Sequence, residues 1–152
     1  MRVILDANVV IRMLLGSDNP ARAVDVILEA GLSQIVTFLV TSELRREVLN
    51  KIQQKRYLSD RIVSDRIVAD DAIDFLDEMS RRGTVLPTRV GSPSIKSRDP
   101  KDDYVLAYAE TGRADYVVTH DEDLLVLDGR FTFRIVRPPE LLAVLREHGL
   151  IP

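Results

Sequence analysis

Four acidic clusters, placed where short apolar runs give way to new elements, are where this chain could do chemistry. They are Val3-Ile4-Leu5-Asp6, Thr41-Ser42-Glu43-Leu44, Asp99-Pro100-Lys101-Asp102-Asp103 and Val117-Val118-Thr119-His120-Asp121-Glu122-Asp123. A short apolar run bounded by turn signals reads as a buried strand. In an open parallel sheet, ligands bind beyond the carboxyl ends of such strands. Carboxylates converging there repel: two unit charges ~4 Å apart cost about 4 kcal/mol at an effective dielectric of roughly 20. A hard divalent cation with oxygen ligands removes that cost. The pattern proposes a metal site.

Each cluster also has a plainer reading. Asp6 or Asn8 can cap the following helix, and Glu43 in a first helical turn can simply favour the positive end of the dipole. Asp99 before Pro100 reads as an N-cap with proline at the first helical position. Asp102 lies about one turn further on, and Asp103 is rotated by ~100° from it around the helix, which points it at a different target. Asp121 or Asp123 can cap a helix beginning near Leu124. His120, the lone histidine of an oxygen-rich cluster, reads as a bystander. The joint placement of the acids after strands is a stronger statement than any one of them.

The elements that must position these groups alternate. Val3–Leu5, Gln34–Leu39, Thr84–Leu86, Tyr116–Thr119 and Phe133–Val136 read as strands. Between them, helices are expected over Asn8–Leu15, from Pro20 to Gly31, from Thr41 or Ser42 onward, over Asp65–Arg82, from Asp99 to about Thr111, over Glu122–Leu127 and over Pro139–His148. Thr88–Ser97, rich in Gly, Ser and Pro, reads as a mobile loop. Strand–helix alternation implies a parallel sheet with right-handed crossovers, hence a three-layer α/β/α domain. Scattered apolar residues on the helices spanning 21–30 and 42–57 suggest a groove or a dimer surface.

With 152 residues, 45% hydrophobic and 30% charged, the chain suits one soluble domain covering 1–152. No apolar stretch approaches the ~20 residues that span a bilayer, so no membrane association and a cytoplasmic location are expected. The absence of cysteine excludes disulfides, a thiolate nucleophile and thiolate-bound zinc. Neither a Gly-rich phosphate loop nor a G-x-S-x-G elbow occurs. The net charge of −3 hides a basic stretch, in which Arg45, Arg46, Lys51, Lys55, Arg56, Arg61 and Arg66 outnumber Glu47, Asp60 and Asp65. Such a stripe can track a phosphate backbone or be the solvated face of a long helix.

In "VILDANVVI" at 3–11, "TSELRREVL" at 41–49, "RDPKDDYVLAYA" at 98–109 and "DYVVTHDEDLL" at 115–125, the chain resembles PIN-domain ribonucleases, specifically the bacterial toxins of type II toxin–antitoxin pairs. The resemblance runs from Arg2 to about Pro138. It implies a five-stranded parallel sheet of order 3-2-1-4-5 and Mg²⁺- or Mn²⁺-dependent cleavage of single-stranded RNA. It also implies a cognate antitoxin partner and homodimers. The family's acids fall on Asp6, Glu43, Asp102 and Asp121, with Asp123 as an additional member; the adjacent Asp103 leaves the third position open.

Phosphodiester hydrolysis needs a nucleophilic water and stabilisation of the departing oxygen, which carboxylate-held cations can supply. In that scheme Asp6, Asp102 and Asp121 are the main ligands, and Glu43 orients the attacking water or a second ion. Asn8 and Thr119 support them, and Arg45, Arg46 and Lys51 contact phosphates. The alternatives are a non-catalytic RNA-binding PIN-like domain and a metal-dependent nuclease acting on DNA, since phosphate contacts do not distinguish the sugars. A receiver domain is disfavoured: residues 84–88 lack the phosphoacceptor Asp, and Arg137-Pro138 lacks the expected Lys.

Overall fold

Alternation of inward residues builds the sheet. The computed structural model describes residues 1–14, 22–56, 62–88 and 90–152, and their side chains except at 55, 56 and 62–69. The elements are β1 (Arg2–Leu5), α1 (Ala7–Leu14), α2 (Ala23–Leu32), β2 (Thr37–Val40), α3 (Ser42–Arg56), α4 (Ile62–Arg82), β3 (Thr84–Val85), α5 (Asp103–Thr111), β4 (Tyr116–Val118), α6 (Glu122–Leu125), β5 (Arg134–Val136) and α7 (Pro138–Glu147). All strand pairs are parallel, in the order β3-β2-β1-β4-β5. The expected turn at Gly16, the helix start at Pro20 and the basic Arg61 lie outside the described residues, as do the side chains of Lys55, Arg56 and Arg66.

Successive residues of a strand face opposite sides, and here both sides are buried. Val3, Leu5, Phe38, Val40, Val118 and Val136 pack under α1–α4 and α7. Ile4, Leu39, Val117 and Ile135 pack under α5 and α6, against Val105, Leu106 and Leu124. Such two-sided burial explains the unbroken apolar runs. Each fully buried Leu or Ile contributes about 1.5–3 kcal/mol to this three-layer core.

The apolar residues on the second and third helices belong to this core. Val24, Ile27 and Ala30 of α2, and Leu44, Val48 and Ile52 of α3, are buried in it. These six are therefore core residues, packed with the neighbouring helices α1, α4 and α7, while Ala21 and Tyr57 of that expectation lie outside the described residues. Gly31 does not end its helix either: α2 continues to Leu32, and the left-handed turn falls on Gln34, at φ 58°. The reason for glycine is close approach, since a Cβ at Gly31 would lie 1.9 Å from the Phe38 ring. The Thr88–Ser97 loop, expected to be mobile, is tied to α5. The Ser94 N–H and hydroxyl donate to Glu110, at 2.9 and 2.6 Å, and the Ser97 N–H donates to Asp103 at 2.7 Å.

Candidate active site

Asp6 stands directly beyond β1, the central strand, where the chain runs to β2 on one side and β4 lies on the other. That is the switch point at which open α/β sheets bind ligands. Its backbone N–H donates to the Val118 carbonyl at 2.9 Å, continuing the β1–β4 pairing one residue past the strand. Its carbonyl accepts from the N–H groups of Val9 and Val10, which starts α1. The side chain is thus fixed by backbone on both sides, and the residue is only 5% exposed.

Burial raises the Asp6 pKa, and the nearby Glu47 adds to the rise; the Thr119 hydrogen bond and Lys51 oppose it. Thr119, fully buried after β4, donates its hydroxyl to Asp6 Oδ2 at 2.8 Å. The Thr119 Oγ1 in turn accepts the Asp121 N–H at 2.9 Å. One hydroxyl therefore couples the acids after two neighbouring strands.

Asp121 caps α6, its Oδ1 accepting the Asp123 N–H at 2.9 Å. Asp99 caps the single 3₁₀ turn at Pro100–Asp102 by accepting from the Lys101 N–H, with the expected proline at the first position. That turn delivers Asp102 against Asp121. The Asp102 pKa is raised to about 7, first by burial, then by its hydrogen bond with Asp121 and by the charges of Asp121, Asp6 and Asp99. Asp103 points elsewhere, to the Ser97 N–H. The ~100° between adjacent helical positions separates the two jobs.

The second helix of the site behaves otherwise. Thr41 caps α3 through the Leu44 N–H, at 3.0 Å. Glu43 then turns to α5, where the Tyr108 hydroxyl donates to its Oε2 at 2.6 Å, joined by the Ser42 hydroxyl at 2.9 Å. Burial works against its ionisation, yet these hydrogen bonds and the Arg46 charge prevail and hold its carboxyl below the usual range.

Glu47, one turn further, is the acid that meets the crowded carboxylates. It accepts from the Tyr104 hydroxyl, pairs with Lys51 at 2.8 Å and acts on Asp6. Burial, Glu47, Asp6 and Asp102 together hold the Tyr104 hydroxyl protonated, far above its usual range. Glu47, Tyr104 and Thr119's double role were not singled out by spacing. The available signal was the four-residue step from Glu43 to Glu47 on a helix whose Leu44 and Val48 face the core, because residues four apart share a face.

Among the proposed supporting residues, Asn8 accepts from Lys51 Nζ at 3.1 Å. Asp123 lies 3.9 Å from Arg98. Arg45 is paired with Asp77 of α4 at 2.5 Å, whereas Arg46 and Lys51 line a groove of about 410 Å³ beside Glu47. His120 has its pKa lowered by burial, Arg12 and Arg137, and its Nε2 is buried with no partner among the described residues.

The donor set suits a hard divalent cation: carboxylates that repel one another, one of them with its pKa raised to about 7 by burial and by its acidic neighbours. Among the described residues, no three acids close into a coordination cage. No helix among the described residues is long and apolar enough to cross a membrane.

No curated protein matches the chain. A family model described as PIN domain matches residues 2–123, a span that takes in Asp6, Glu43, Glu47, Asp102 and Asp121 and the first four strands. The chain belongs to the PIN-domain family, and its parallel 3-2-1-4-5 sheet is consistent with that membership.

Proposed function

We propose that the protein is a divalent-metal-dependent endoribonuclease that hydrolyses phosphodiester bonds of single-stranded RNA, acting as the toxin of a toxin–antitoxin pair. PIN domains are typically metal-dependent nucleases. The observation that carries the reading is the gathering of Asp6, Asp102 and Asp121 through Thr119 and the Asp121 turn; burial first, and then the neighbouring acids, raise the Asp102 pKa to about 7. An RNA-binding domain without catalysis has no use for so costly an arrangement.

Asp6, Asp102 and Asp121 would hold Mg²⁺ or Mn²⁺, with Asp123 at the rim; from α3, Glu43 would orient the attacking water or a second ion, and Glu47 would add to the acidic field at Asp6. What a bound divalent ion supplies there is an acidified water and compensation for charge on the departing oxygen. The chain's own residues do the rest. Thr119 fixes the Asp6 carboxylate and, through the Asp121 N–H, the turn that carries Asp121. Tyr104 holds Glu47 in place, and Lys51 offsets the negative field from the α3 side. Arg46 and Lys51 contact the phosphates of the strand; Arg45, engaged by Asp77, contributes less.

The decisive measurement is cleavage of matched RNA and DNA oligomers with Mg²⁺, with Mn²⁺ and with a chelator. Ion-dependent cleavage of RNA leaving 5′-phosphate ends is expected. Activity that persists in the chelator removes the metal mechanism, and equal cleavage of DNA removes the restriction to RNA. The toxin assignment rests on the resemblance, and inhibition of cleavage by the product of an adjacent short gene is its check.

A further inference from the structure

The 3₁₀ turn that carries Asp102 to the other carboxylates also carries Lys101, which the reaction has not used. Lys101 lines the groove of about 410 Å³ that runs beside α3. One wall of this groove is a single face of α3, where Glu43, Arg46, Glu47, Asn50, Lys51 and Gln54 follow one another at the spacing that keeps side chains on one side of a helix. Lys101 and Tyr104 form the facing wall. The chemistry changes along its length. At the inner end stand Glu43, Glu47 and Tyr104, and the Tyr104 hydroxyl there feels the charges of Asp6 and Asp102. Beyond Glu47 this face carries no acid as far as Gln54. Lys51 is paired with Glu47, but among the described residues no carboxylate pairs with Arg46 or Lys101, and both are exposed. Two uncompensated cations on facing walls attract an anion. The volume falls within the roughly 300–1,000 Å³ of sites for single small molecules.

We propose that this groove is a one-nucleotide subsite beside the scissile bond, in which Arg46 and Lys101 hold the RNA backbone from facing walls and the amides of Asn50 and Gln54 meet the nucleoside. Arginine and lysine supply the phosphate contacts, which fix the register of a strand without reading its sequence. An amide both donates and accepts hydrogen bonds, so Asn50 and Gln54 suit a ribose hydroxyl or the edge of a base that a single strand splays out. Lys101 adds precision to this grip. It is next to Asp102 in a turn whose start is fixed by the Asp99 cap, at 3.0 Å from the Lys101 N–H. A phosphate held by Lys101 is therefore tied to the carboxylates through one short piece of backbone, and the strand leaves them along α3.

The subsite's place in catalysis rests on the ribonuclease reading, so binding and cleavage are measured separately. Binding of a short fluorescent oligouridylate is followed by anisotropy over a salt series, in a chelator so that no turnover occurs. Lys101→Ala and Arg46→Ala should each weaken binding several-fold and lower the slope of log K against log salt by about 0.7, one phosphate on a single strand. Replacing Asn50 and Gln54 together by Ala should also weaken binding several-fold but leave the slope unchanged, because neither residue carries charge. Gln53→Ala is the control: exposed on the same helix, it lines neither wall. Binding that the groove variants leave intact, or that Gln53→Ala weakens equally, overturns the subsite. Cleavage in Mn²⁺ then separates the two readings. Groove-dependent binding without any cleavage keeps the subsite and removes the nuclease, whereas cleavage whose KM ignores Lys101→Ala and the amide pair removes the subsite and spares the nuclease.

Discussion

Glu43 and Glu47 sit one turn apart on α3, and each takes a hydroxyl from a tyrosine one turn apart on α5, Tyr108 and Tyr104 respectively. As pairs they are chemically alike. Their surroundings are not. Glu47 shares its space with Asp6 and Asp102, and Lys51 answers only part of that charge. Glu43 faces Arg46 and an open cavity, and its carboxyl is held below the usual range while Asp102 is pushed above it. A carboxylate's role here follows from the field around it rather than from its hydrogen-bond partner, and 5.4 Å along a helix is enough to change that field.

The largest effect expected from breaking this arrangement is at Asp102. Asp102→Asn should lower single-turnover cleavage by on the order of 10³-fold, since a lost ion ligand forfeits several kcal/mol of charge stabilisation. Asp103→Asn should leave most cleavage intact, because its carboxylate serves the Ser97 N–H instead. The reverse ranking would move the ligand by one position, and full activity in both would sink the mechanism. Next in size is the glutamate pair. Glu47→Gln should reduce kcat by roughly 100-fold, and Glu43→Gln by less than about tenfold on a mixed-sequence RNA. A larger loss at Glu43 would make it the leading acid of α3 and contradict the field argument.

What could be read without coordinates follows the same division. The strands were legible because two-sided burial writes itself as unbroken apolar runs, and Asp99-Pro100 because caps are local. The positions of Asp6, Asp102 and Asp121, after buried strands or opening a helix, were legible from the runs around them. The contact of Glu47 with Tyr104 was not, because it depends on how α3 meets α5, between residues 57 apart in sequence. Gly31 looked like a terminator for a similar reason: its real constraint is the Phe38 ring on a neighbouring strand. The roles of Arg45 and Arg46 were equally hidden until Asp77 of α4 was seen to engage one of them.

That last contrast sharpens into a binding measurement of moderate size. Arg46→Ala should weaken RNA binding several-fold and reduce the slope of log K against log salt by about 0.7, one phosphate on a single strand. Arg45→Ala should leave the slope nearly unchanged and cost some stability through Asp77 instead. Equal slopes for the two variants would remove the distinction.

The smallest expected effect, a few degrees in melting temperature, tests the field itself. Asp102 binds its proton more tightly folded than unfolded, with its pKa raised from 3.8 to about 7, and Asp6 shifts in the same direction. In the ion-free protein the stability these groups contribute is therefore complete below about pH 4 and is lost as pH rises through about 7. Glu43 has the opposite sign: its lowered pKa stabilises the fold above its unfolded value, and this is lost on acidification. A divalent ion binds the deprotonated carboxylates, so the rise in melting temperature with millimolar Mn²⁺ should be small near pH 5 and grow towards pH 8. Asp102→Asn should flatten the fall in ion-free stability over this window and shrink the Mn²⁺ response. Glu43→Gln should leave the fall in ion-free stability over this window largely in place, since the Glu43 pKa is shifted in the opposite direction. A wild-type melting temperature indifferent to Mn²⁺ at pH 8 would mean that the carboxylates do not share an ion, whatever their proximity.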